Sequence, residues 1–184
     1  KDDWNVIKHT ENTVVDGSNA SYMDLIARMA LDQAAPANQA AVAELLDIDD
    51  FILYMLCNYF LGNTDWAHKN LYASQNEASG DGRWRFHSWD AEHVVKNVNQ
   101  DITGRRDNAG QPTDFHHRLR ANDEYNLRFA DIVHRHFFNG GIMSPGGAAA
   151  VYSNRMAQAD RAIVGESARW GDNRDSTPRT RDDD

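Results

Sequence analysis

The chain has 184 residues, with 28 Asp and Glu against 19 Lys and Arg and a net charge of −9. That length suits one globular domain with a full core, and the acidic balance argues against a partner bound through nucleic-acid phosphates. Cys57 is the single cysteine, so no intrachain disulfide is expected; in the most apolar run of the chain it reads as a small buried hydrophobe.

Trp4–Lys8 reads as a short strand and Asp16-Gly17 as a turn. Ser21-x-x-Asp24 resembles a capping box, with Tyr22, Leu25, Ile26 and Met29 following along one helical face. Pro36 suits a first helical turn, and Val42, Leu45 and Leu46 form a second apolar stripe. From Phe51 to Leu61 nearly every position is apolar, the pattern of a helix buried all round, with Leu56 and Phe60 in the core. It is too short to span a bilayer and holds Asn58, so no membrane insertion is expected. Leu71–Ser74 and Arg83–Phe86 read as strands paired across Gly80-Asp81-Gly82, with Trp84 and Phe86 on one face and Arg83, Arg85 and His87 on the other. Lys96 to Pro112 lacks periodicity and reads as a long loop, in which Arg105 and Arg106 are taken as solvated. Helices are expected over about Thr113–Arg120, Asp123–Phe138 and Pro145–Arg169, and residues 173–184 form a polar acidic tail. The fold class is α+β with a helical majority.

The chemistry concentrates between these elements. Asn63-Thr64-Asp65-Trp66-Ala67-His68-Lys69-Asn70 follows the apolar helix, and Trp89-Asp90-Ala91-Glu92 follows the hairpin. Phosphoryl-transfer sites of the protein-kinase type run in that order: a buried helix, an Asp-x-x-x-x-Asn loop, then a metal-binding Asp. In such a site Asp65 takes the acceptor proton, and Asn70 and Asp90 offer the oxygen ligands that Mg²⁺ prefers. Taken singly, Asp65 and Asp90 suit helix caps and Asn70 suits a strand start. The combination points to a metal and phosphate site. Lys69 reads equally as a cation that meets a phosphate oxygen or pairs with Asp65 and as an ordinary exposed loop Lys. His68, His87 and His93 flank these positions at spacings that match no closed zinc motif.

These residues resemble the CotH kinase family, the spore-coat-type atypical kinases, whose members carry a similar N-T-D-W-x-x-x-N run and a W-D-x-D run. Asp47–Ile52 is similar to the family's entry to the buried helix. Phe129-Ala130-Asp131, Phe137–Gly141 and Glu166–Asp172 are similar to its C-terminal helices, especially in large secreted bacterial members. The resemblance spans most of the chain from about Trp4 to Asp172, and residues 1–172 are taken as the family domain portion. It implies an atypical protein-kinase-like C-terminal lobe with a small hairpin beside the active loop. It also implies ATP and Mg²⁺ or Mn²⁺ as cofactors, Asn70, Asp90 and Glu92 as metal ligands, and protein Ser/Thr hydroxyls as acceptors. Localisation would be extracellular or at a bacterial cell or spore surface. Glu92 stands where the family has its second Asp, and the Gly that often follows is missing from His93-Val94-Val95-Lys96. In the family an N-terminal lobe bearing a nucleotide-facing Lys precedes this portion, so the chain is expected to be part of a longer protein.

Three functions stay open at this point. One is phosphoryl transfer from a nucleotide to protein Ser or Thr. Another is a catalytically inactive structural or interaction module of a surface or extracellular protein. The third is a metal-dependent hydrolase using the same ligands.

Overall fold

The computed structural model describes residues 3–78 and 81–173, together with Thr177, Arg179, Thr180 and Asp182. The fold is α+β: helices α1 (Ala20–Met29), α2 (Pro36–Leu45), α3 (Ile48–Phe60), α4 (Pro112–Leu119), α5 (Asp123–Phe137) and α6 (Pro145–Trp170), with strands β1 (Trp4–Lys8), β2 (Thr10–Asp16), β3 (Leu71–Asn76) and β4 (Arg85–Ser88). The strands form one antiparallel sheet in the order β2-β1-β3-β4. The chain divides into two compact units that meet in sequence at Val133 and His134, and the first holds every candidate site residue.

The sheet is larger than the hairpin read from the sequence. Thr10–Asp16 is a strand, and the chain reverses at His9, whose φ of 63° lies in the left-handed region. The β3–β4 pair forms with Leu71 opposite Ser88 and Ala73 opposite Phe86, and β4 lies two residues further along the chain than the expected strand. Trp84 and Phe86 are buried and Arg83 and His87 exposed, as the alternation requires. Gly80, in the expected turn, lies outside the described residues, as does much of the acidic tail. The Ser21 capping box is not formed. Ser21 sits inside α1, where its hydroxyl accepts from Trp84 Nε1 at 2.9 Å and contacts Gln75 Oε1, tying α1 to the sheet.

Helix α3 is the central element. Asp47 caps its start by accepting from the Asp50 N–H at 3.2 Å, and Arg85 of β4 pairs with the other Asp47 oxygen at 2.7 Å. Phe51, Ile52, Met55 and Leu56 are buried, and the Phe51 ring meets Phe86 and Phe115 at centroid distances of 5.4 and 6.4 Å. The expectation of burial all round is overturned along one line. Cys57 is exposed, Phe60 is 41% exposed and Leu53 is half-buried, because these positions share the face turned away from β4 and α4. Cys57 is therefore not the core residue that its apolar setting suggested.

The core also holds His116, 7% exposed, whose Nδ1 lies 2.7 Å from the Tyr125 hydroxyl. Burial, reinforced by the Arg120 charge and then by His117, pushes its pKa from 6.5 down to about 4. The unfolded chain therefore binds a proton between those values that the folded chain refuses, and stability falls as pH drops through that window. Urea unfolding from about pH 8 to about pH 4 should register a loss of about 3 kcal/mol from this group. His116→Leu should remove that part of the pH dependence, and an unchanged slope would mean that the ring protonates freely in the folded protein.

In the second unit, Ser144 caps α6 by accepting from the Gly147 N–H at 3.2 Å, with Pro145 in the first turn. Helix α6 buries none of its residues; Val151, Tyr152, Met156 and Trp170 are among those it exposes. Among the described residues, no helix is long and apolar enough to cross a membrane.

Candidate functional site

The loop from Gly62 to Asn70 starts from a defined helix end. Gly62 takes φ 59°; its N–H bonds to Tyr59 O at 3.1 Å and that of Asn63 to Asn58 O at 3.0 Å, the paired bonds of a Schellman stop. Asn58 and Asn63 are both buried, and Asn63 Nδ2 donates to Asn58 Oδ1 at 2.9 Å. Asn63 Oδ1 then accepts from the Asp65 N–H at 3.2 Å. The polar Asn58 inside an apolar helix is thus the anchor that aims the loop. Trp66, fully buried, roots it by donating from Nε1 to the Tyr54 hydroxyl at 2.5 Å.

Three of the residues singled out in the sequence meet directly. Asn70 Nδ2 donates to Asp65 Oδ2 at 3.0 Å, and Lys69 Nζ lies 3.0 Å from Asp65 Oδ1. The hydrogen bond to Lys69, with its charge, holds the Asp65 carboxyl below the usual carboxylate range, so it is ionised at neutral pH. A carboxylate accepts only, so the Asn70 nitrogen must face it, which leaves the amide oxygen for a cation.

Asn70 is 7% exposed and has φ 56°, a backbone region that Asn tolerates better than most residues. Its N–H donates to His9 Nδ1 at 3.1 Å, and its C=O accepts from the Trp89 N–H at 3.3 Å. Burial and the neighbouring Lys8 and Lys69 charges lower the His9 pKa, which favours the neutral ring that Nδ1 needs in order to accept. The Trp89 contact sets Asp90, also left-handed at φ 53°, beside the loop rather than across the domain.

Hydrogen bonding to Glu92 and the Glu92 charge raise the Asp90 pKa, with Asp65 adding to the effect. Glu92 is held low by its own backbone N–H and by the bond from Asp90. The following segment lies against the loop: Thr64 N–H donates to His93 O at 3.1 Å and Val95 N–H to Leu61 O at 2.8 Å. Donor atoms of Asp65, Glu92 and His93 consequently lie within 4.8 Å of one another. His68 and His87 do not join them, since His68 faces Arg105 at 2.8 Å and His87 faces the Ser74 hydroxyl at 2.7 Å.

The solvated reading fails for Arg105, which is half-buried, and holds for Arg106, which is exposed although ion-paired. Arg105 pairs with Asp107 and donates to Thr64 O at 2.9 Å, while Arg106 and Arg118 both hold the buried Asp114 carboxylate. His9, His93 and Arg105 are the contributors that sequence reasoning missed or undervalued.

A family model described as CotH kinase protein matches residues 2–172. The chain belongs to the CotH kinase family. Asp65, Asn70 and Asp90 thus stand in a CotH kinase chain at the positions where the family's two core runs were read. No curated protein and no solved structure matches the chain.

Proposed function

We propose that this CotH kinase domain belongs to an atypical protein kinase that transfers phosphate from a Mg²⁺- or Mn²⁺-bound nucleotide such as ATP to a protein Ser or Thr hydroxyl. The supporting observation is the contact of the Asn70 amide with the Asp65 carboxylate, with Lys69 on the other oxygen and Asp90 alongside. An ionised Asp65 orients the acceptor hydroxyl and takes its proton as the new bond to phosphorus forms. Each Asp65 oxygen carries one hydrogen bond and retains a lone pair for that hydroxyl.

The donor set fits a hard divalent cation. The neighbouring Glu92 raises the Asp90 pKa, the mutual repulsion of paired carboxylates that a cation relieves, and the Asn70 contact with Asp65 engages the amide nitrogen rather than its oxygen. Asn70, Asp90 and Glu92 would hold the metal, which when bound neutralises charge developing on the phosphates. Lys69, already beside Asp65, is the cation placed to meet a transferring phosphoryl group. Protein acceptors, a nucleotide and a surface or secreted setting belong to this same proposal.

An inactive module is the second reading, favoured by Glu92 at the family's second Asp position. Nucleotide binding separates the two. Full-length protein should bind ATP in the presence of Mg²⁺ or Mn²⁺ and label a Ser/Thr protein or itself. Failure to bind nucleotide with either ion would overturn the enzyme reading.

A further inference from the structure

The geometry points to Arg105 as a positioning residue that braces the loop carrying Asp65 on both sides of that residue. Its guanidinium donates from one nitrogen to Thr64 O at 2.9 Å and from another to His68 Nδ1 at 2.8 Å, so it spans the residue just before Asp65 and the third after it. Asp107 fixes the guanidinium through two contacts, at 2.8 and 3.1 Å. Asp107 is in turn held by the fully buried Thr113 of α4: the Thr113 hydroxyl donates to Asp107 Oδ2 and accepts from the Asp107 N–H, both at 2.9 Å. Gln111 adds a bond from Nε2 to His68 O at 3.4 Å. A continuous path of polar contacts therefore runs from the start of α4 to the loop on both sides of Asp65.

Only a forked, planar donor reaches a carbonyl, a ring nitrogen and a carboxylate at once, so Lys is not an equivalent. The Arg105 hydrogen bonds go to neither Asp65 nor Asn70, and its effect on transfer acts through where the loop holds Asp65. A misplacement of about 1 Å at a reacting group costs about a hundredfold in rate. The rate effect rests on the phosphotransfer reading above; the brace itself does not.

The test uses full-length protein with Arg105→Ala and Arg105→Lys, read by amide hydrogen exchange and by transfer kinetics. Arg105→Ala should speed exchange across residues 62–70 and 105–113 while β1, β3 and α3 keep their protection. It should lower kcat by about a hundredfold with little change in KM for nucleotide, and added ethylguanidinium should restore part of that loss. Arg105→Lys should fall between. Unchanged exchange across 62–70 overturns the brace; faster exchange with an unaltered kcat in a transferring protein upholds the brace but overturns its role in positioning Asp65. If the unaltered protein transfers no phosphate, the function proposed above fails, while faster exchange across 62–70 still upholds the brace.

Discussion

Asp90→Ala in the full-length protein is expected to lower Mg²⁺-dependent phosphate transfer by about a thousandfold, because the phosphates lose a ligand of the cation that neutralises their developing charge. Asp65→Asn should lose about 10²–10⁴-fold in turnover through removal of the base, with nucleotide binding retained. The contrast between the two is the informative part. Asp65 contacts Lys69 and Asn70 through its two oxygens, and an Asn there keeps one acceptor for the Asn70 amide. Asp90 is exposed and left-handed at φ 53°, so Asp90→Asn is the companion that spares the backbone while removing the charge. Steady-state transfer and nucleotide titration, each with and without Mg²⁺, supply the measurements. If both residues act as caps, the variants will instead unfold at lower urea without a selective kinetic defect. A variant Asp90→Ala with undiminished transfer would remove it from the metal site.

The helices and the central pairing were legible in the sequence for local reasons. Tyr22, Leu25 and Met29 recur at helical spacing and are buried; Trp84 and Phe86 alternate with Arg83 and His87 and keep that alternation along β4 and the residues leading into it. Strand β2 carried no such signal. It is an edge strand whose Val14 and Val15 are both exposed, so neither burial nor alternation marks it. The apolar run of α3 announced a buried helix, yet which side stays open depends on the layers that pack against it. Cys57 and Phe60 lie on the side without such a layer.

The candidate site divides in the same way. Asp65, Lys69 and Asn70 are near neighbours in the chain, and their contacts follow from one short loop. His9 reaches Asn70 across 61 positions and Arg105 reaches Thr64 across 41, through turns that have no periodicity to read. Asn58 was visible as an oddity in an apolar helix. Its bond to Asn63 explains why a polar side chain is worth burying at that point: the pair directs the chain out of α3 toward Asp65.

Trp66 couples this site to the stability of the fold, and Trp66→Ala should be among the most damaging single changes. The side chain is fully buried, meets Tyr54 and Tyr59 edge-on at 5.8 and 5.9 Å, and donates its indole N–H to the Tyr54 hydroxyl. Truncation opens a cavity worth about 3–5 kcal/mol and leaves the Tyr54 hydroxyl without that donor, a further cost of about 1 kcal/mol. Against a total stability of about 5–15 kcal/mol, that is enough to leave a large fraction unfolded in a weak background. Trp66→Phe retains an aromatic ring and should cost far less, about 1–2 kcal/mol. Urea unfolding of both variants distinguishes lost packing from the lost hydrogen bond. Because Trp66 is the residue next to Asp65, its loss should also speed exchange across 62–70 before the domain opens globally. A Trp66→Ala protein within about 1 kcal/mol of the parent would show that the loop is held by its polar contacts, among them those of Asn58, Asn63 and Arg105, with the indole as filling rather than root.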